Sequence, residues 1–553
     1  MNPALDDLKY FLRKNAVTDS MLLNDIKRLE LGTLLLDTVK QMDETLYLKS
    51  NIRILAQKNK NCIFEEEIYK IADAAEAAGI KAVFIKGLLL ADDLYEKPEI
   101  RQSVDVDLLI EAHNMAPFLK ILESLSYKPF DKKEGYQPWS FIEENIHTYK
   151  DKKHEEFYKE ADFKGRKVGV LLELHMHILQ PGIIKTNTSQ LIERAVLRNK
   201  KGHNIWLLEM HDNVLLLFLH FYEHFIISFN NYCCSIETER TNIQSFHDIA
   251  LLLDKYGSII SWDVMFERIK ALKGCINLAL AIHLFSGIYP GRVPDGFLKK
   301  LVSHGLDLSN PISKLCHHLI SQLNPTDILY KDFDYLLKNM KPIEGNEVQQ
   351  LLCPFKNNDG QNMGGLFLID EFAENIENIY GTYISCGKKP ISSSEGSGKG
   401  RVWWDPNRLY IHIKIYKKVL VFNGRVKNYH DQDGVEILMN NGKDLRHRHI
   451  VFNPQLEYDA VNMVIINGKT SCRMDEEGVK YKIVIHDDGY ELEAGVPWQC
   501  LDVVPDVGLR FRFNVAINLC DEQTGKRRTR LSWAGKDNWW WDVDTYGELI
   551  LTE

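Results

Sequence analysis

The chain has 553 residues, too many for one hydrophobic core, and its 45% hydrophobic and 26% charged residues suit a folded multidomain protein. Its formal net charge of -9 argues against broad electrostatic binding to nucleic acid, and the longest apolar run, Val214 to Leu219, is too short to cross a bilayer. Met1 to Lys14 is mixed and charged, and the ten cysteines form no CxxC and only one adjacent pair, Cys233-Cys234; no signal peptide, zinc site or disulfide framework is indicated, and a reduced cytoplasmic setting is expected.

Residues 1–78 have helical spacing, as in Leu5, Leu8, Phe11 and Leu12 and then from Ile63 to Ala78. Residues 79–185 alternate strand and helix signals. The first is Ile80-Lys-Ala-Val-Phe-Ile, a strand that ends at Lys86-Gly87. Leu88 to Tyr95 then takes helical spacing through Leu88, Leu89, Ala91 and Leu94. A glycine between strand and helix lets phosphate approach the helix N-terminus, and Lys86 adds positive charge there.

Arg101 precedes Val104-Asp105-Val106-Asp107-Leu-Leu-Ile110, which reads as a buried strand. Residues two apart on a strand share a face, with Cα atoms roughly 7 Å apart. Two buried carboxylates on one face repel each other and lose hydration, so they call for a cation or for hydrogen-bond donors. Mg²⁺ suits such a pair because it keeps positions open for phosphate oxygens and water. The plainer alternative is a pair of strand-end carboxylates bonded to backbone N–H groups. Val168 to His175 is a second apolar strand carrying Glu173, and His175 shares its face.

From 186 to 340 the pattern returns to helix, through Asn213 to Phe225, Ser245 to Lys255, Trp262 to Leu272 and Cys275 to Phe285. His220 and His224 stand four apart, close to metal-ligand spacing, yet two histidines satisfied within a helical interface fit equally simple chemistry. Asp248 is expected to cap or bridge. Residues 341–364 are polar and contain Gly, Asn and Pro, as a linker does. Beyond 365 the period becomes two, for example in Arg408 to Ile415 and Leu509 to Ile517, with short turns as in a β-sandwich. Ser392 to Gly400 is low in complexity and reads as a mobile loop. Trp539-Trp540-Trp541 is unusual: on a strand at least one ring would be exposed, where it could stack on a sugar, whereas all three could equally cover an apolar surface. Trp498 is expected in the core.

Two resemblances follow from these motifs. Lys86-Gly87, Tyr95, Arg101, the Asp105-Val-Asp107 strand and Glu173-Leu-His175 resemble the bacterial uncharacterised nucleotidyltransferase family, of the DNA polymerase β-type superfamily, over roughly residues 30–270. The resemblance implies an α+β nucleotidyltransferase fold with a helical lobe. It also implies metal binding by Asp105, Asp107 and Glu173, and a triphosphate held at the Lys86-Gly87 turn; of the other candidate nucleotide contacts, Arg101 could offset phosphate or pair with Asp105, and His175 could touch a phosphate, orient an acid or make a structural hydrogen bond. The chain departs from the superfamily in having Lys-Gly where Gly-Ser or Gly-Gly is usual, and in a longer stretch from Gly87 to Asp105. Over roughly 365–553, Trp403-Trp404-Asp405, Asp433-Gly-Val-Glu436, Gly489-Tyr-Glu, Val496-Pro-Trp498, Phe513 to Asn518 and Tyr546-Gly547 resemble family 9 carbohydrate-binding modules. That implies a jelly-roll-like sandwich.

The expected protein is therefore a fused, Mg²⁺- or Mn²⁺-dependent transferase. It would move a nucleotidyl or related group from a nucleoside triphosphate or nucleotide-sugar to a small-molecule, peptide or sugar-bearing acceptor, with carbohydrate as a possible ligand of Trp539, Trp540 and Trp541. The competing expectations are a carbohydrate-binding protein on an inactive scaffold and a glycan-processing enzyme.

Overall fold

A computed structural model describes residues 3–16, 18–29, 31–131, 135–139, 153–180, 183–184, 186–233, 243–308, 310–341, 350–355, 365–369, 396–421, 432–454, 463–466, 469–473, 478–520, 527–534, 543 and 546–553. The chain forms two compact units, one of residues 1–226 and 240–307, the other of 227–239 and 308–553.

In the first unit eight strands form one sheet. They are β1 (Val83–Ile85), β2 (Asp105–Leu109), β3 (Lys128–Asp131), β4 (Gly135–Tyr136), β5 (His154–Phe163), β6 (Arg166–His175), β7 (Val196–Lys200) and β8 (His203–Leu207). Their order is β4-β3-β5-β6-β2-β1-β8-β7. β2 runs parallel to β6 and antiparallel to β1, while β5 and β6 form an antiparallel hairpin around Lys164-Gly165, both with positive φ. One face of this sheet is apolar because Val106, Leu108, Leu172, Leu174 and Phe157 alternate onto it. They pack with Ile68, Ile71 and Ala72 of the helix Glu44–Ala77 and with Phe118 and Leu122 of the helix Met115–Ser124. Alternation sends the intervening polar residues to the other face, and the candidate site lies there.

The helices expected after 186 are present, as Met210–Cys233, Gln244–Tyr256, Trp262–Ala271 and Cys275–Ile288. The β7–β8 hairpin interrupts that stretch, so the region is not purely helical. Its turn is Lys201-Gly202, again with positive φ at both residues.

The second unit is a sandwich. A five-stranded sheet runs in the order Gly365–Ile369, Ser397–Trp404, Arg408–Tyr416, Gly489–Pro497, Lys480–His486. The facing sheet centres on Gly434–Asn440 and Arg510–Cys520. Ile411, Ile413, Val435, Ile437, Phe513 and Val515 fill the space between them, and Trp498 joins that core and donates its indole N–H to the Asp405 carbonyl at 2.8 Å. The helices Pro311–Gln322, Pro325–Tyr330 and Phe333–Asn339 belong to this unit, and the Leu445 N–H donates to the Leu337 and Met340 carbonyls.

Two stretches differ from the expected loops. Within 341–364, Gln350–Pro354 is a strand paired in parallel with Gly547–Thr552. Within 392–400, Ser397 to Gly400 pair with Ile413 to Tyr416. The glycines there serve close packing: a Cβ on Gly398 would lie 2.5 Å from Ile517 Cδ1, and one on Gly396 would lie 2.2 Å from Leu519 Cδ1.

Candidate functional site

β2 places Asp105 and Asp107 on one face, two residues apart, as its period requires. Cross-strand register then assembles the rest. Asp107 stands opposite Ile85 of β1 and Glu173 of β6, Glu173 stands opposite Glu156 of β5, and His175 stands opposite His154. A row of carboxylates therefore adjoins a row of histidines. His154 and Glu156 were not singled out from sequence, because they sit in the mixed-charge run His-Glu-Glu-Phe-Tyr-Lys-Glu and only the hairpin register brings them to Glu173 and His175.

Asp107 is 5% exposed at its side chain and His175 is fully buried. The Asp107 Oδ1 lies 2.9 Å from His175 Nε2 and 3.1 Å from Lys86 Nζ. Burial alone would raise the Asp107 carboxyl, but Lys86 and the His175 hydrogen bond outweigh it and hold the group well below the usual carboxylate range. Glu173 is held low in the same way: burial opposes ionisation, and His175, His154 and Lys86 overcome it. The His175 ring resists charge through burial yet is raised by Asp107 and Glu173, and its Nδ1 lies 3.3 Å from the His177 carbonyl. Lys86 is buried too; that works against its charge, but Asp107, Asp105 and Glu173 keep it an ammonium.

Lys86 also has φ 55° and ψ −147°, a region that side chains other than glycine rarely occupy, and it leads into the helix Gly87–Leu94. Such backbone strain costs on the order of 1–3 kcal/mol and persists where surrounding structure enforces it, often at functional turns. Arg101 bonds to this turn. Its Nη1 donates to the Gly87 carbonyl at 3.4 Å and to Ser103 Oγ at 2.9 Å, while its Nε donates to Asp248 Oδ2 at 2.9 Å. The Tyr95 hydroxyl completes the set by donating to Asp248 Oδ1 at 2.6 Å. Arg101 was expected to face phosphate or pair with Asp105; its donors instead engage the turn, Ser103 and Asp248. Asp248 bridges, as expected.

A second cation, Lys60, also reaches the start of β2, where its Nζ donates to the Ser103 and Val104 carbonyls at 3.3 and 2.9 Å. Burial holds its ammonium down and Asp105 pulls it back up. His220 and His224 pack ring against ring, 4.4 Å between centroids. Burial, then Lys86 and His224, push the His220 imidazole well below its ordinary value. Its neighbour Glu223 accepts from Lys153 Nζ at 2.6 Å and from the Gln180 N–H at 2.5 Å.

The donor set fits a divalent cation. Asp107 and Glu173 are ionised, face the same way on adjacent parallel strands, and have Asp105 two residues along; His154, Glu173 and His175 bring ligand atoms within 4.8 Å of one another.

In the second unit a polar cluster lies on the sheet face opposite the core. Glu436 Oε2 lies 3.0 Å from Arg530 Nη2 and 3.2 Å from His449 Nε2, and Asn518 Nδ2 donates to Glu436 Oε1 at 2.5 Å. Trp539, Trp540 and Trp541 lie outside the described residues.

Residues 369–553 match the model of the carbohydrate family 9 binding domain-like family. Among solved structures, a family 9 carbohydrate-binding module from Caldicellulosiruptor kristjanssonii in complex with cellotriose is 18% identical, covering 37% of this chain and 94% of its own, with a TM-score of 0.26. The module from the same organism in complex with glucose is 20% identical, covering 37% and 96%, also with a TM-score of 0.26. No curated protein matches the chain. The strand-borne acids, the Lys86-Gly87 turn and the helices behind them fall within residues 7–289, which match the model described as uncharacterised nucleotidyltransferase; with just over half of its 553 residues matched, the chain belongs to that family.

Proposed function

We propose that the first unit transfers a nucleotidyl or related group from a nucleoside triphosphate or nucleotide-sugar to a small-molecule, peptide or sugar-bearing acceptor, and that the second unit binds carbohydrate. The observation that carries the first part is the register of Asp107 with Glu173 on adjacent parallel strands, with Asp105 on the same face and the strained Lys86-Gly87 turn alongside. Asp105, Asp107 and Glu173 would hold Mg²⁺ or Mn²⁺. When bound, that ion would offset charge on the phosphates, the main source of rate in such transfers.

The chain's own groups supply the rest. The Lys86 ammonium, fixed beside Asp107, adds positive charge at the turn. The first amides of the helix Gly87–Leu94 are donors suited to phosphate oxygen. Glu173, held ionised well below the usual carboxylate range, is a weak proton acceptor and suits the metal-holding role better than that of a base. One observation favours scaffolding without turnover: Asp107 already has Lys86 and His175 as partners. On that reading the protein binds sugar and transfers nothing. The double substitution Asp105→Asn with Asp107→Asn decides. It removes two negative charges and little volume but leaves the buried Lys86 ammonium with Glu173 as its remaining carboxylate support, so binding is scored on a variant shown by circular dichroism to be folded. Mg²⁺-dependent nucleotide binding and pyrophosphate release are expected to vanish; a double variant that binds nucleotide with Mg²⁺ as well as the parent refutes the assignment.

A further inference from the structure

We infer that His154, Glu173 and His175 form a nitrogen-rich metal site that takes a first-row transition ion of the Zn²⁺ type; it shares Glu173 with the Asp105–Asp107 set and differs from that set in its two imidazole donors. This rests on the geometry of the β5–β6 hairpin and goes beyond nucleotidyl transfer. The three ligand atoms lie within 4.8 Å of one another. His175 Nε2 is 3.5 Å from Glu173 Oε2, and His154 Nδ1 is 3.8 Å from the same oxygen. Both separations are at or beyond the limit of a hydrogen bond. They are close to the edge of a tetrahedron around an ion bonded at about 2.1 Å, which is about 3.4 Å.

The supports are those of a built site. His154 and His175 are directly paired across two antiparallel strands, so the hairpin ladder fixes their spacing. The His177 carbonyl, 3.3 Å from His175 Nδ1, is placed to accept a hydrogen bond from Nδ1–H, the tautomer that leaves Nε2 as the ligand atom. In the ion-free arrangement Nε2 faces Asp107. When it turns to a metal, Asp107 keeps Lys86 Nζ at 3.1 Å, so no buried carboxylate is stranded. Two imidazoles and one carboxylate select Zn²⁺, Co²⁺ or Ni²⁺ over Mg²⁺, which prefers oxygen donors and keeps its waters.

The test is a titration of the full chain with Co²⁺, read by visible d–d absorption, in the presence of excess Mg²⁺. One Co²⁺ per chain is expected, with intensity typical of four or five ligands, undisplaced by Mg²⁺ and displaced by Zn²⁺. His154→Ala, at a partly exposed position, is expected to weaken binding at least tenfold with an unchanged circular dichroism spectrum. His175→Ala removes a buried ring and serves as the second variant, scored only if its unfolding remains cooperative. Displacement of Co²⁺ by Mg²⁺ at similar concentration, or a His154→Ala protein with the parent's Co²⁺ spectrum and affinity, overturns the inference. Co²⁺ binding that persists when no nucleotide binds with Mg²⁺ sinks the transferase proposal and leaves this site standing.

Discussion

Removing the Asp248 carboxylate is expected to be among the costliest single changes in the first unit. Asp248 has no exposed surface and joins Tyr95, Arg101 and, through Arg101, the Gly87 carbonyl and Ser103. Burial raises its carboxyl, and Arg101 and Tyr95 oppose that, so the charge depends on these partners. Asp248→Ala leaves the Arg101 guanidinium, itself 9% exposed, without its counter-ion. Breaking a buried pair from one side costs about 3–5 kcal/mol, because the surviving charge is uncompensated. The loss is expected as a lower urea midpoint for the first unit by circular dichroism, and as faster amide exchange in peptides covering β1, the Lys86-Gly87 turn and β2. Replacing both partners, Arg101→Met with Asp248→Leu, strands no charge and is expected to recover most of the loss. Two results would refute the reasoning: Asp248→Ala within about 1 kcal/mol of the parent, or a double variant whose cost is the sum of its singles.

Two further outcomes follow from other parts of the molecule. Burial, helped by Arg292, lowers the His247 imidazole to about 4, so the folded state keeps it neutral while the unfolded chain protonates near 6.5. Its contribution is complete above about pH 6.5 and is lost as pH falls toward 4, roughly 3 kcal/mol in all, and His247→Gln is expected to flatten that acid limb in unfolding titrations. In the second unit, Trp540→Ala in the full chain is expected to weaken binding of a saccharide selected from a mono- and oligosaccharide panel by about 1 kcal/mol or more by calorimetry, the contribution of one stacked ring; binding equal to the parent's assigns Trp540 to packing.

The parts of the site that were legible in the sequence are those set by local period. Asp105 and Asp107 share a face because strands repeat every two residues, and the apolar Val106 between them marks that face's opposite. Glu173 was legible for the same reason. Arg101 was not: its sequence neighbour is Asp105, while its partner Asp248 is 147 positions away on another helix. The stretch from Ser397 to Gly400 was misread in a related way, since glycine density resembles a loop while Gly398 is there to let a strand approach Ile517. His154 and Glu156 show the cause most clearly. Their strand opens as the mixed-charge run His154-Glu-Glu-Phe-Tyr-Lys-Glu160, and nothing local sets those two apart from the other polar residues in it. Placement depends on β6 standing between β2 and β5, with β5 folding back at Lys164-Gly165 so that His154 meets His175 and Glu156 meets Glu173. Period decides which way a side chain points; strand order decides what it meets. Here that order turns a pair of acids and an unremarkable charged hairpin into a cluster of histidines and carboxylates. A one-residue slip of the β5–β6 register would turn His154 and Glu156 to the other face and dissolve the cluster while leaving the β2 acids in place.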